Sequence, residues 1–243
     1  MKRFIWAILF AGLMVIPAQA QVPDLQSLIP EGATSTSGRI VQLVALMTVL
    51  SVAPGLLIMA TCFTRFIIAL SFLRVGLGLQ TTPANLVLVS LALFLTFYVM
   101  APTFDEAWRE GVKPLVEEQI NEQEAYSRIT APFKRFMRAH VREKDVRLFE
   151  DLAGITVTEE SQDIELRVLV PAFMISELRR GFEIGFLIVL PFLVIDLIVA
   201  TLTMSMGMMM LPPTAISLPF KVLFFVLFDG WNLLVGSLVR SFA

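Results

Sequence analysis

The chain of 243 residues holds a single cysteine, Cys62, and a single histidine, His140. One thiol excludes a disulfide framework within the chain and a cysteine-rich metal cluster, and one imidazole excludes a multi-histidine metal site. Charge is scarce: Asp, Glu, Lys and Arg make up 16% of the residues, against about 25% in a soluble domain. The net charge of -2 offers no basic surface for nucleic acid. No acid occurs between Glu31 and Asp105. None of the five lysines precedes Ser or Thr, so there is no phosphate-binding G-x-x-x-x-G-K-[ST] loop, and no G-x-S-x-G occurs. Catalytic, cofactor-binding and metal-binding constellations are therefore not expected, and an enzyme has nothing to rest on.

Apolar side chains fill the space that charge leaves. They make up 56% of the chain, including 20 Phe, against roughly 45–50% in a soluble domain. The mean hydropathy is +0.77. A soluble globule of this composition would lack the polar surface to cover itself, and disorder is excluded for the same reason. The reading is an all-α integral membrane protein, with about four apolar helices or helical hairpins and a charged helical insert.

The N-terminus has the build of a signal peptide. Lys2 and Arg3 form a basic region, Phe4 to Ile16 an apolar stretch, and Pro17 is followed by Ala18-Gln19-Ala20. The small side chains of Ala18 and Ala20 are the pattern a signal peptidase needs. Cleavage after Ala20 is favoured over an uncleaved anchor, which places the mature N-terminus outside a bacterial inner membrane. The remaining chain divides into a flexible leader over 21–39, N-terminal membrane helices over 40–102, a charged insert over 103–167, and C-terminal membrane helices over 168–243. Of the 21 acids, 15 fall in the insert.

Long apolar runs cover Ile40–Cys62, Ala84–Ala101, Phe182–Leu202 and Ile216–Val239, with a shorter stretch at Phe66–Leu79. About 20 helical residues cross a bilayer. With the N-terminus outside, residues 65–83 form a cytoplasmic turn whose Arg65 and Arg74 obey the rule for basic loops, and the insert faces the periplasm. In the insert, Phe104, Trp108, Val112, Val116 and Ile120 recur every four residues, and Phe133, Phe136, Met137, Val141, Leu148 and Phe149 make a second amphipathic pattern ending at Gly154. Such faces are hard to bury within about 65 residues and are expected against neighbouring copies. His140 reads as ordinary surface and Cys62 as a small buried hydrophobe.

The last third carries the unusual residues. Glu177 with Arg180 is an i,i+3 pair and Arg179 with Glu183 an i,i+4 pair, just before an apolar run. They serve either as a snorkelling interfacial cluster or as polar contacts between subunits. Gly181 and Gly185 have the spacing of close helix approach. Asp196, Lys221 and Asp229 lie inside apolar runs, where ionisable groups face a partner or water; helix packing is favoured over an ion path. Five of the 12 methionines fall between Met204 and Met210, followed by Leu211-Pro212-Pro213. Three successive Met before two prolines read as an adaptable apolar loop.

The segment PAFMISELRRGFEIGF from Pro171 resembles the signature of the FliP family of flagellar type III export-gate proteins. So do FTRFIIALSFLRVGLGLQTTPANLVLVSLALFLTFYVMAP from Phe63, APFKRFMRAHVREKD from Ala131, GMMMLPP from Gly207 and LPFKVLFFVLFDGW from Leu218. The likeness runs from about Ile40 to the end, where GSLVRSF is similar to the flagellar members. It implies several copies assembled with FliQ and FliR in the basal body, forming an oligomeric pore for unfolded flagellar proteins. It further implies a pore gasket of Met208, Met209 and Met210. By residue type, Gly207 should let that loop bend and Pro212 and Pro213 stop it from becoming helix, and polar contacts between subunits are assigned to Glu177, Arg179, Arg180, Glu183 and Lys221. The competing class is a small ion-coupled secondary transporter using Asp196 and Lys221, but such folds carry paired repeats and none is visible.

Overall fold

A computed structural model describes residues 36–154, 164–207 and 212–242 of the protein. Every regular element among these residues is helical. The chain divides into two units, Met1–Ala53 and Pro54–Ala243. The first described helix, α1, is Thr36–Met59. In the first unit its Val44, Met47 and Leu50 are exposed, and the hydroxyls of Thr48 and Ser51 donate to the carbonyls of Val44 and Met47 at 2.8 and 2.7 Å. That satisfies two polar groups inside an apolar helix without any neighbour.

The second unit is built on two helices that cross closely, α2 (Phe63–Gly76) and α7 (Leu166–Ser205). Glycines make the approach. A Cβ on Gly181 would stand 3.1 Å from Ile68, one on Gly185 2.5 Å from the Phe72 ring carbon next to its Cβ, and one on Gly76 2.9 Å from Phe192. The Gly181/Gly185 spacing thus has the packing role read from it. Gly185→Ala is expected to destabilise: the root of the Phe72 side chain cannot swing away, so overpacking of about 1–3 kcal/mol outweighs the roughly 1 kcal/mol gained in helix propensity. A lower unfolding temperature of the detergent-extracted protein would register it, and an unchanged one would refute the close contact.

Helix α3 (Asn85–Ala107) lays Leu88, Ala92, Leu95 and Met100 on the same core as Phe66, Leu70 and Leu73 of α2. It then passes through a π-helical segment, Trp108–Val112, into the short α4, Lys113–Val116. The chain turns back through α5 (Glu122–His140), whose N-cap Asn121 accepts from the Glu124 amide at 2.8 Å. Gly111 lets the π segment touch Ile129, where a Cβ would come within 2.4 Å. α6 (Glu143–Ala153) ends at Gly154 with φ 66°, as expected.

The insert's aromatic face meets its partners within the chain, which corrects the expectation that neighbouring copies must cover it. Phe104, Phe133 and Phe136 are packed against the core, with Phe104 and Phe133 rings 5.7 Å apart. Trp108 alone of the four large aromatics stays exposed. The N-terminal part of α7 supplies the missing wall: Leu169 and Phe173 cover Met137, and Val168 and Ala172 cover Val146.

α8 (Pro213–Leu227) and α9 (Gly230–Arg240) complete the unit. They meet at a 64° bend around Asp229, which adopts φ 49°. By length and composition, the continuous helices Asn85–Val116 and Leu166–Ser205 are long enough to cross a membrane, and α8 with α9 makes a third span if the bent pair is counted as one. α7 is 40 residues long, about 60 Å at 1.5 Å per residue, and so about twice the hydrocarbon thickness of a bilayer. The expected boundary between 102 and 103 falls inside α3. The stretch 65–83 is mostly helix α2, so neither Arg65 nor Arg74 is a turn residue; Arg74 stands in the last turn of the helix, next to the loop.

Candidate functional site

Three polar junctions hold α7 in place, and they take in Glu177, Asp196 and Lys221, three of the ionisable residues that stood out in the apolar sequence. In the first, Arg65 of α2 and Glu177 of α7 are both fully buried. Arg65 donates from Nε to Glu177 at 2.8 Å and from Nη2 to the other carboxylate oxygen. Its Nη1 donates to the carbonyl and hydroxyl of Ser241 at 3.1 and 2.9 Å, and the guanidinium stacks 3.5 Å from the centre of the Phe242 ring. A bidentate pair with its remaining donors satisfied is the arrangement that makes a buried charge tolerable. It also ties the end of the chain to α2 and α7. The expected Glu177–Arg180 pair does not form: Arg180 is exposed while Glu177 is fully buried against Arg65. Arg179 and Glu183 do pair, at 2.7 Å on the exposed face. His140 is half-buried rather than surface, with its ring 5.2 Å from Phe242 and Nδ1 2.8 Å from the Phe136 carbonyl.

The second junction docks the insert. Ser176 donates to Asp145 at 2.6 Å and accepts from the Arg142 amide at 3.1 Å, and the Arg142 side chain grips the same carboxylate at 2.8–2.9 Å. Burial disfavours the charged Asp145, but the hydrogen bonds from Ser176 and Arg142 and the Arg142 charge outweigh it and hold the carboxyl below its ordinary value of 3.8. A carboxyl depressed in the folded state stabilises above its unfolded pKa and loses that contribution as pH falls through the lower folded value. The docking of α6 on α7 is therefore expected to persist down to about pH 4 and loosen below it. Hydrogen exchange in α6 across that range checks this, and protection that does not fall at low pH would contradict it.

The third junction lies at the turn that carries the methionines. Lys221 is 4% exposed. Its Nζ donates to Asp196 of α7 at 2.5 Å and to the carbonyl of Gly76, the last residue of α2, at 3.0 Å. Ser217 donates to the second Asp196 oxygen at 2.5 Å. The ammonium thus joins three helices and satisfies a carbonyl left open at a helix end. This is the packing role favoured for Asp196 and Lys221. Asp229 lies apart from them, at the bend between α8 and α9.

The gasket residues Met208, Met209 and Met210 lie outside the described residues, as do Ala18 and Ala20. The flanks of the turn are described. α7 stops at Ser205; the Met206 and Gly207 amides donate to Leu202 and Met204 at 3.1 and 3.0 Å. Gly207 takes φ 76°, a conformation that favours glycine. Pro212 is extended, with φ -65° and ψ 122°, and Pro213 opens α8. Met204 and Met206 are 65% and 71% exposed, so they are not core of this chain.

Sequence reasoning singled out Glu177 and Lys221 but missed that Arg65, Ser241 and Phe242 complete one junction and Ser217 and Gly76 the other. The signal was available in Arg65, a charge at the start of an apolar stretch. Among the described residues no group of three or more His, Cys, Asp or Glu stands where it could hold a metal ion, and Cys62 is fully buried at the N-cap of α2.

Residues 46–238 match the FliP family. A flagellar biosynthetic protein FliP of Agrobacterium fabrum is 61% identical over the whole of both chains. One of Rhizobium meliloti is 66% identical over 86% of each, and one of Bacillus subtilis 54% identical over 88% of this chain and 95% of its own. The buried Arg65, Glu177 and Lys221, the partly buried Asp196 and the methionine turn all fall within the matched span, and on the strength of that span the chain belongs to the FliP family.

Proposed function

We propose that this chain is a subunit of the flagellar type III protein export gate in the bacterial inner membrane. Several copies assemble with FliQ and FliR, beside other membrane proteins of the export apparatus and the flagellar basal body. They form a pore for unfolded flagellar proteins, with Met208, Met209 and Met210 as its seal. The relatives are named flagellar biosynthetic proteins, which supports the flagellar part. The observation that carries the pore reading is the turn itself. Gly207 in a left-handed conformation and an extended Pro212 bound a short methionine segment between two apolar helices, beside the exposed Met204 and Met206.

The outer faces of α7 and α8 support the membrane and the assembly. Leu187, Leu197, Leu202, Val226 and Leu227 are all more than half exposed, a patch that needs lipid or neighbouring subunits to cover it. Of the polar contacts assigned between subunits, Arg179, Arg180 and Glu183 keep that role from the exposed face of α7. Glu177 and Lys221 act on assembly through the fold of their own chain. The Lys221–Asp196 pair, closed by Ser217 and Gly76, also speaks against the ion path a small transporter would need. The insert faces the periplasm, and the mature chain starts at Gln21 once the signal peptide is removed.

Native mass measurement of the complex after co-expression with FliQ and FliR tests this reading. A stable assembly holding several copies of this chain is the expected result, and a monomer or dimer alone would reject it in favour of the transporter. The same measurement fixes the N-terminus: a chain retaining Met1 would remove the signal peptide from the account.

A further inference from the structure

We infer that the Asp196–Ser217–Lys221 cluster is a clamp that sets the position of the methionine turn, and that Lys221 is its positioning residue. The inference rests on the reading of that turn as a pore seal. The two helices leading into the turn are apolar, and apolar contacts between them leave sliding along their axes almost free of directional restraint. The α7–α8 hairpin is also loosely filled: an apolar groove of about 560 Å³ lies along it, lined by Val199, Leu202 and Met206 on one side and Ile216, Phe220 and Leu223 on the other. Against this loose packing the clamp is directional. Both oxygens of Asp196 are engaged by α8, one by Ser217 and one by Lys221. Ser217 and Lys221 are four residues apart and so stand one above the other on the same face of α8, and this fixes the register of α8 on α7. The bond from Lys221 to the Gly76 carbonyl then fixes the hairpin against α2, which the glycine contacts of Gly181 and Gly185 hold against α7. A slide of α8 along α7 would break at least one of these three bonds, the one to Gly76 included, and leave a polar group without its partner in apolar surroundings. The clamp therefore ties the turn to the rest of the unit. Lys221 acts on the seal through the register of α8 and not by contact with the exported chain.

The test uses the full complex co-expressed with FliQ and FliR, and reads both assembly and ion conductance of the closed complex in planar bilayers. Replacing a buried ion pair by apolar residues of similar size is often neutral for stability, so Asp196→Leu with Lys221→Leu removes the directional contacts without leaving a lone charge. That double variant is expected to assemble at the yield of the unsubstituted chain but to leak about tenfold more in the closed state. Lys221→Arg, which retains the cation and donors for both acceptors, is expected to stay tight. A double-leucine complex as tight as the unsubstituted one overturns the inference, as does a double-leucine chain that fails to assemble, since the cluster is then only a folding element. A leak in Lys221→Arg equal to that of the double variant overturns it too. The seal is judged separately by substitution of the methionines themselves: a tight alanine variant there beside a leaky double-leucine complex would reject the methionine seal and retain the clamp.

Discussion

Replacement of Met208, Met209 and Met210 together by Ala is expected to leave the complex assembled and to raise ion conductance through its closed state severalfold. An export channel must pass an unfolded chain yet hold back water and ions when idle. A narrow ring of apolar side chains does this by dewetting, because water in a hydrophobic neck is unfavourable. Branched side chains would make a stiff seal. Methionine has three rotatable bonds and a polarizable sulfur, so it moves aside and closes again around irregular surfaces. The flanks of the turn suit this role. Gly207 ends α7 in a left-handed conformation at φ 76°, and Pro212-Pro213 ends the possibility of continuing α7 into α8 as one helix. The competing account, a methionine-rich helix core, predicts that truncation lowers stability. Met204 and Met206 weigh against it, since both are mostly exposed. A triple variant that fails to assemble, or one that assembles without added leak, would remove the gasket assignment.

Glu177→Ala is expected to be the most damaging single substitution outside the turn. It leaves the fully buried Arg65 guanidinium with only the Ser241 oxygens and the Phe242 ring for company. Breaking one side of a buried pair costs about 3–5 kcal/mol, a large part of the roughly 5–15 kcal/mol that holds a domain together. The result should be little extractable protein and loss of motility, from failure of the fold before assembly. Two companions separate this from a lost contact between subunits. Arg180→Ala, on the exposed face, should leave the extracted chain as stable as before. Arg65→Met combined with Glu177→Met removes both charges together and should recover much of the yield lost by Glu177→Ala. Thermal unfolding of the detergent-extracted chain measures all three. A Glu177→Ala chain with unchanged unfolding temperature would show that the junction with Ser241 and Phe242 contributes little.

The prediction for Glu177 differs from the one its sequence neighbours invite, and the reason is local geometry. Residues three apart on a helix are near each other, and this made Arg180 the obvious partner. The i,i+3 relation nevertheless does not oblige the two side chains to meet. α7 buries Phe173, Ser176, Glu177 and Gly181, whereas Arg180, though on the same side of the helix, is exposed. Arg65, 112 positions earlier in the chain, comes within reach only because Gly181 and Gly185 let α2 lie against α7. Arg179 and Glu183 have no such competition on the exposed side, and there the local pairing holds.

Composition and periodicity alone determined the class of the protein. An apolar fraction of 56% with charge concentrated in one insert leaves no soluble solution, and helices are what a chain without closed barrels can use inside lipid. The helix end at Gly154, the close approach at Gly181 and Gly185 and the break before Pro212 also follow from residue type, because each depends on the backbone freedom or the bulk of one or two side chains. The motifs alone were specific enough to indicate the family. What only the tertiary structure decided is which distant residues meet. The 40-residue continuity of α7 hides two environments, its first part walled by the insert and its second by apolar helices, and no change of periodicity marks the passage. The aromatic face of the insert looked too large to bury in one chain because the wall that covers it, Val168 to Phe173, lies beyond Gly154 in sequence. The three polar junctions were readable only as isolated charges. A charge in an apolar run announces that it needs a partner; the partner's identity depends on how close the helices come, and here three glycines and one lysine reaching across to the end of α2 set that distance.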